Sequence, residues 1–326
     1  MATNKTIKHR RLHTAQRLIS PVNAPDFTHF HRRQTLSGLL FISPWIVGFL
    51  IFTAWPMIYS AYLTVTDYDV INAPRYVGAA NFQQLIEDPK TTIALGNTIF
   101  YTVLQVPAHV LVALGLALLL NHAGRLSGFF RTIFYLPNMT PPVATGILFL
   151  LLFNGHNGLL NKVLLRFGIH GPAWTTDPNW QKPGLILMSL WTVGASVIIL
   201  LAALRGVPQD LYESARIDGA GWWRRTWHVT LPLVSPSLLF VVVSGTIGAL
   251  QNFDVTYTAF FGAGSNSSYT NDAVLFYVIY LFRQAFEYLH FGYASALAWM
   301  LFLVILAITG IQLAISRRVV YYEGRS

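Results

Sequence analysis

Cysteine is absent from all 326 residues, which excludes disulfides, thiolate metal ligands and cysteine nucleophiles. Charge is scarce: Asp, Glu, Lys and Arg together supply 11% of the chain. No Gly-Lys pair occurs, so the glycine-rich loop that wraps nucleotide phosphates and ends in Gly-Lys before Ser or Thr is missing. The chain cannot hydrolyse ATP by that route. The pairs His29-x-His31 and His9/His13 have metal-like spacings, yet the tail that carries them has no cysteine and reads as solvated. No catalytic residue, metal site or bound cofactor is expected.

What fills the chain instead is apolar: 54% of residues are hydrophobic, the composition of an integral membrane protein. Crossing the hydrocarbon takes about 20 consecutive apolar residues. Six stretches qualify: 39–59, 98–120, 132–153, 185–204, 237–253 extended by 255–261, and 293–315. The expected class is all-α and polytopic, with six transmembrane helices. Lys and Arg are retained on the cytoplasmic side, and one set of loops and tails holds sixteen of them against six on the other. Both termini are therefore expected in the cytoplasm, with the chain multi-pass in the cell's inner (plasma) membrane. This divides it into a basic tail 1–36, a transmembrane domain 37–320 with a cytoplasmic loop 205–235, and a tail 321–326. The net charge of +9 follows from this topology and from a basic tail near anionic lipid, and needs no nucleic-acid partner. The first apolar run is too long and too far from the start to be a cleavable signal.

Within the spans, Pro44 and Pro56 predict kinks in the first helix. The third opens with Leu136-Pro137-Asn138-Met139-Thr140-Pro141-Pro142, prolines that predict broken backbone facing protein or a cavity. Trp174 and Trp180 in the following loop are expected as interfacial anchors. Asn138-Met139-Thr140 and Asn266-Ser267-Ser268 are sequons by pattern only. In the loop 205–235, Pro208 suits a first helical turn, and a helix 209–217 follows with Leu211, Ala215 and Asp218 on one face. Asp218-Gly219 signals a turn, then a second short helix 222–230 that stops before Pro232. Small residues at Ser214, Ala215, Gly219 and Ala220 allow another backbone to approach, and Glu213 offers a carboxylate to a partner.

The run Glu213-Ser214-Ala215-Arg216-Ile217-Asp218-Gly219-Ala220, continued by Leu231-Pro232, closely resembles the "EAA" loop of permease subunits in binding-protein-dependent ABC importers. Ser214 replaces the usual second alanine. Tyr76-Val77-Gly78 with Asn81-Phe82, Phe134-Tyr135-Leu136-Pro137, Leu204-Arg205-Gly206-Val207-Pro208 and Phe291-Gly292-Tyr293-Ala294-Ser295-Ala296-Leu297 are similar to carbohydrate-type, maltose-transporter-like members. The resemblance implies a type I ABC importer permease fold. It also implies the partners: a second homologous permease, two ATPase subunits carrying ATP and Mg, an extracytoplasmic solute-binding protein, and the lipid bilayer. Glu213, Ser214, Ala215, Asp218, Gly219 and Ala220 become the implied ATPase-coupling residues.

Polar groups inside spans mark pathways by default. Trp191 and Thr192 in the fourth span, with Gly248, Gln251, Asn252, Asp254 and Tyr257 in the fifth, supply the amides, hydroxyls and flat rings that bind a sugar, and Gly245 leaves room beside them. Interhelical hydrogen bonding is the other reading of Gln251 and Asn252. None of the six stretches contains Lys or Arg, so a neutral di- or oligosaccharide is expected, with glycerol phosphate or another polyol as the alternative. An ion-coupled secondary transporter would need buried carboxylates, and only Asp254 approaches that description. A non-transporting scaffold would leave the loop motif without a purpose.

Overall fold

In hydrocarbon each backbone N–H and C=O needs a partner within its own segment, so long apolar runs wind into helices. The computed structural model describes residues 27–261 and 272–321. His9, His13, the Asn266 sequon and the chain beyond 321 lie outside the described residues, as do the side chains of 27–36 and Arg125. The chain forms two compact units, Met1–Ser60 and Ala61–Ser326.

The first unit holds α1 (Phe27–Phe49), a π turn at Leu50–Ala54 and most of α2 (Trp55–Leu63). The described part of this helix begins at Phe27, inside the stretch assigned to the tail. Its prolines are absorbed without ending it. Pro44 has no N–H for the Leu40 carbonyl, and the Ser43 hydroxyl donates to that carbonyl instead, at 2.8 Å. Ahead of Pro56 the register slips, and Trp55 N–H donates to Leu50 O, five residues back.

The second unit opens with the antiparallel pair β1 (Thr66–Asp67) and β2 (Arg75–Tyr76), followed by α3 (Ala80–Glu87) and the long α4 (Pro89–His122). Then come α5 (Ser127–Tyr135), α6 (Pro142–Leu152) and the short α7 (Leu159–Arg166). The fourth span combines α8 (Pro178–Ser189) with α9 (Gly194–Arg205), and α10 (Gln209–Ile217) follows. Next are α11 (Trp222–Arg225), a π turn at Thr226–Thr230, α12 (Leu231–Leu250) and α13 (Asp254–Phe260). Beyond the undescribed residues lie α14 (Tyr277–Phe282), a π turn at Arg283–Glu287 and α15 (Phe291–Val319).

Four helical runs among the described residues are long and apolar enough to cross a bilayer unaided: Ser37–Leu63, Pro89–His122, Trp222–Phe260 and Phe291–Val319. Two more spans form only from bent pairs, α5 with α6 at 98° and α8 with α9 at 51°. Each pair counted as one span, the six expected helices are present.

Three expectations need correction. The prolines at 137, 141 and 142 do not open the third span: α5 precedes them, and they sit at the 98° break. The second loop helix does not stop before Pro232 but runs on as the fifth span. Leu231 N–H reaches five residues back to Thr226 O, and the π turn makes room for the proline ring. Ser235 then donates to Pro232 O at 2.6 Å, serving the carbonyl that Pro236 cannot, the same device as Ser43-Pro44. The fourth helix begins at Pro178, capped by Asp177, whose side chain accepts from Asn179 N–H at 3.0 Å. Lys182 therefore lies inside a spanning helix, its Nζ donating to Asn97 Oδ1 at 2.7 Å. The helix of the third span likewise takes in Arg131.

Two apolar clusters hold the second unit. One centres on Tyr101, Phe149, Phe260, Phe276, Tyr277 and Leu297; the other packs Ala113 and Ala117 of α4 against Val197 and Leu200 of α9 and Val234 and Val241 of α12. Small residues on α4 let α9 and α12 approach it closely. Trp174 belongs to the first cluster: only 8% exposed, it donates Nε1–H to Asn161 Oδ1 at 2.8 Å. It is a core residue and not the interfacial anchor expected. Trp180 remains exposed.

Candidate coupling and translocation sites

The loop motif folds as a helix with a specific stop. Asp218 ends α10, Gly219 takes φ +75°, and two bonds close the turn: Ala220 N–H to Ala215 O at 2.9 Å and Gly219 N–H to Arg216 O at 3.0 Å. This is the pairing of a Schellman stop, which needs a left-handed residue at the position Gly219 occupies. The motif's glycine is thus explained locally, before any partner is considered. Glu213, Ser214, Asp218 and Gly219 are exposed, Ala215 and Ala220 half-buried. Glu213 has no ion pair among the described residues. Tyr212 Oη lies 3.0 Å from Thr230 Oγ1, pinning α10 to the π turn at the root of the fifth span. At the same end, Arg205 Nη2 donates to Ser127 Oγ at 2.6 Å.

The breaks of the third and fourth spans meet. A Cβ on Gly194 would stand 2.0 Å from Phe134 O, so only glycine permits the contact. Asn138, with its amide turned to satisfy both groups, donates to Thr192 O and accepts from Ala195 N–H, each at 2.7 Å. These are the backbone groups that a bend leaves without helical partners. Trp191 projects from this junction, 50% exposed. The Thr192 hydroxyl is occupied, donating to Ser189 O at 3.1 Å.

The fifth span breaks at 251–253, between α12 and α13. Gln251 and Asp254 are exposed, and the space where Gly248 would carry a Cβ is open. Asn252 Oδ1 accepts from Thr256 Oγ1 at 2.9 Å, while Tyr257 stacks on Phe253 with centroids 4.9 Å apart. Buried Tyr101 of α4 directs its hydroxyl towards Ser189 and Asn252, placing the fourth-span turn and the fifth-span break at one level. Of the seven residues expected along a pathway, Trp191, Gly248, Gln251 and Asp254 remain open; Thr192, Asn252 and Tyr257 are engaged within the chain.

Sequence reasoning missed a third constellation, at the N-terminal end of α4. Asp88 caps α4, accepting from Lys90 N–H at 2.9 Å, and receives the hydroxyls of Tyr293 (2.9 Å) and Tyr280. Gln284 supports Tyr280 at 2.8 Å and approaches His290 Nδ1 at 3.1 Å. Partial burial pushes the Asp88 carboxyl up, but its hydrogen bonds from Tyr280, Lys90, Tyr293 and Thr91 outweigh this and hold it below the usual value. Beside it, Asn81 donates to Thr64 O and Thr66 O (2.9 and 2.8 Å), and a Cβ on Gly292 would lie 2.0 Å from Thr66 O. The two motifs around Asn81 and Gly292 are one packing contact. Their separation in sequence hid it. Gln105 Oε1 and His109 Nδ1 of α4, one turn apart and buried, also have no partner, although His109 Nε2 meets Ser196 Oγ at 2.9 Å.

Comparison with known proteins agrees with this architecture. Residues 109–321 match the family model described as binding-protein-dependent transport system inner membrane component. A probable ABC transporter permease protein of Bacillus subtilis, YesP, is 37% identical over 297 residues, covering 90% of this chain and 94% of that protein. The lactose transport system permease protein LacF of Rhizobium radiobacter is 33% identical over 291 residues, covering 88% and 96%. Among solved structures, a chain of a bacterial alginate ABC transporter, in complex with alginate pentasaccharide-bound periplasmic protein, superposes with TM-score 0.77 at 24% identity, covering 90% and 97%. With the family model spanning well over half its length, the chain belongs to the inner membrane components of binding-protein-dependent transport systems.

Proposed function

We propose that the chain forms half of the membrane pathway of an ATP-driven importer for a neutral di- or oligosaccharide. A second, homologous permease completes the pathway, two ATPase subunits dock from the cytoplasm, and a binding protein delivers the solute outside. Both termini and α10 face the cytoplasm. The observation that carries this reading is the continuity between docking element and pathway. α10 is pinned by Tyr212 to the π turn at Thr226–Thr230, and the helix holding that turn runs from Trp222 to Leu250, next to Gln251. At 1.5 Å per residue this is a lever of roughly 40 Å. Closure of the ATPases on ATP moves α10 as a rigid body, and the displacement reaches the break at 251–253 directly.

A sugar suits the open groups: the Trp191 ring covers an apolar sugar face, and the Gln251 amide serves hydroxyls. The lactose-system relative supports a saccharide. An anion would want a free cation near the centre, whereas Lys182 is held by Asn97 and lies 5.0 Å over the Phe100 ring. The test is uptake of a radiolabelled panel of mono-, di- and oligosaccharides and glycerol phosphate. Trp191→Ala and Gln251→Ala, neither of which breaks a hydrogen bond described above, are expected to cut sugar uptake several-fold with assembly unchanged. Full sugar uptake by the double variant, or preferential uptake of glycerol phosphate, refutes the site.

A further inference from the structure

A cavity of about 270 Å³ lies where α4 ends, between α10 and the start of the fifth-span helix. Arg216, Arg225, Gln209, Tyr212 and Thr226 line it, and no Asp or Glu does. Buried Arg225 Nε has no hydrogen-bond partner, and neither arginine forms an ion pair among the described residues. An unpaired guanidinium nitrogen shielded from water is costly, and an anion held against Arg225 would satisfy it. Arginine forks match phosphate oxygens in geometry as well as charge.

The surroundings indicate where that anion comes from. Trp222 lines the cavity and stacks on Trp223 (5.2 Å), which meets Trp227 edge-on at 6.3 Å. All three indoles are about half exposed or more, at 48%, 64% and 57%. Amphipathic rings in such a row sit at the headgroup level of a bilayer. Leu118 and Leu204, which also line the cavity, belong to the apolar ends of the second and fourth spans, a position that suits the boundary between hydrocarbon and headgroups. Basic pockets between spanning helices at this depth suit acidic lipid headgroups.

We propose that this cavity binds the phosphate of an anionic membrane lipid, gripped by Arg225 and Arg216 between the coupling helix α10 and the root of the fifth span. The lipid then joins the two elements through which the coupling stroke passes. The proposal depends on membrane insertion of this end of the chain, so it stands or falls separately from the choice of solute.

The test uses full-length protein, purified with its attached subunits and equilibrated in phosphatidylcholine nanodiscs with or without phosphatidylglycerol, then released for native mass spectrometry. One phosphatidylglycerol per chain is expected to survive on the wild type and on Arg224→Gln, whose side chain lies outside the cavity. Arg225→Gln and Arg216→Gln are each expected to lose it several-fold, and Arg225→Lys to keep part of it. Equal retention by wild type and Arg225→Gln overturns the proposal. Emptying of the site by excess inorganic phosphate reassigns it to a soluble anion and overturns the lipid source. Retention only after attached ATPase subunits are stripped away reassigns it to a partner carboxylate, and also overturns the proposal. Arg216→Gln carries the same comparison if Arg225→Gln fails to fold by elution profile and circular dichroism.

Discussion

Gly219 offers a test in which the backbone can be separated from everything around it. Its φ of +75° costs an ordinary L residue about 1–2 kcal/mol. No atom stands within 4 Å of the place a Cβ would occupy, so within the chain the penalty is conformational and not steric. An alanine there should lower the population of the closed turn relative to a loosened one by roughly 5–30-fold. Asparagine is larger but visits the left-handed region readily, because its short amide bonds locally, and should cost less. Proline, locked near φ −65°, also removes the N–H that bonds Arg216 O at 3.0 Å, and should abolish the turn. The assay is ATP hydrolysis stimulated by solute-loaded binding protein in proteoliposomes, alongside solute uptake. The expected order of coupling is wild type, then Asn, then Ala, with Pro inserted but uncoupled. If side-chain bulk at a docked surface were the constraint, Asn would be worse than Ala, and that order would refute the backbone argument. Normal stimulation in Gly219→Pro would remove α10 from the coupling path altogether.

Further outcomes are expected elsewhere in the molecule. Because the Asp88 carboxyl is held below its usual 3.8, its stabilisation is complete at neutral pH and disappears as pH falls through the depressed value. Thermal unfolding should therefore separate wild type from Asp88→Asn at pH 7, the gap closing below about pH 4; a gap unchanged in acid contradicts the assignment. Asn138→Ala strands Thr192 O and Ala195 N–H and should destabilise by about 1–3 kcal/mol in the same assay. Gly194→Ala, driven against Phe134 O, should be worse. Thr176→Cys in this cysteine-free chain should react with an impermeant maleimide in intact cells and Ser214→Cys only after permeabilisation, and the reverse pattern would invert the topology.

Much of this was legible before any coordinates. Composition and apolar run length determined a helical membrane protein with six spans, because the bilayer sets both a thickness and a demand for internal hydrogen bonding. Local chemistry determined the helix at Gln209–Ile217 and its stop at Gly219, since a Schellman turn is written in neighbouring residues. Tertiary structure decided what depends on residues distant in sequence. Hydropathy could not show that prolines 137, 141 and 142 mark a mid-span break, because the break is held by Asn138 on the backbone of another span. It could not show that Pro232 leaves the helix intact, since a π turn is a register shift with no composition of its own. Nor could it distinguish Trp174 in the core from Trp180 at the surface, a difference made by Asn161 reaching the indole. The Asp88 knot and the Arg216–Arg225 cavity likewise exist only once α4, α10, α14 and α15 are brought together. A single sequence specifies its local turns and its solvent; which polar groups find partners is decided by packing.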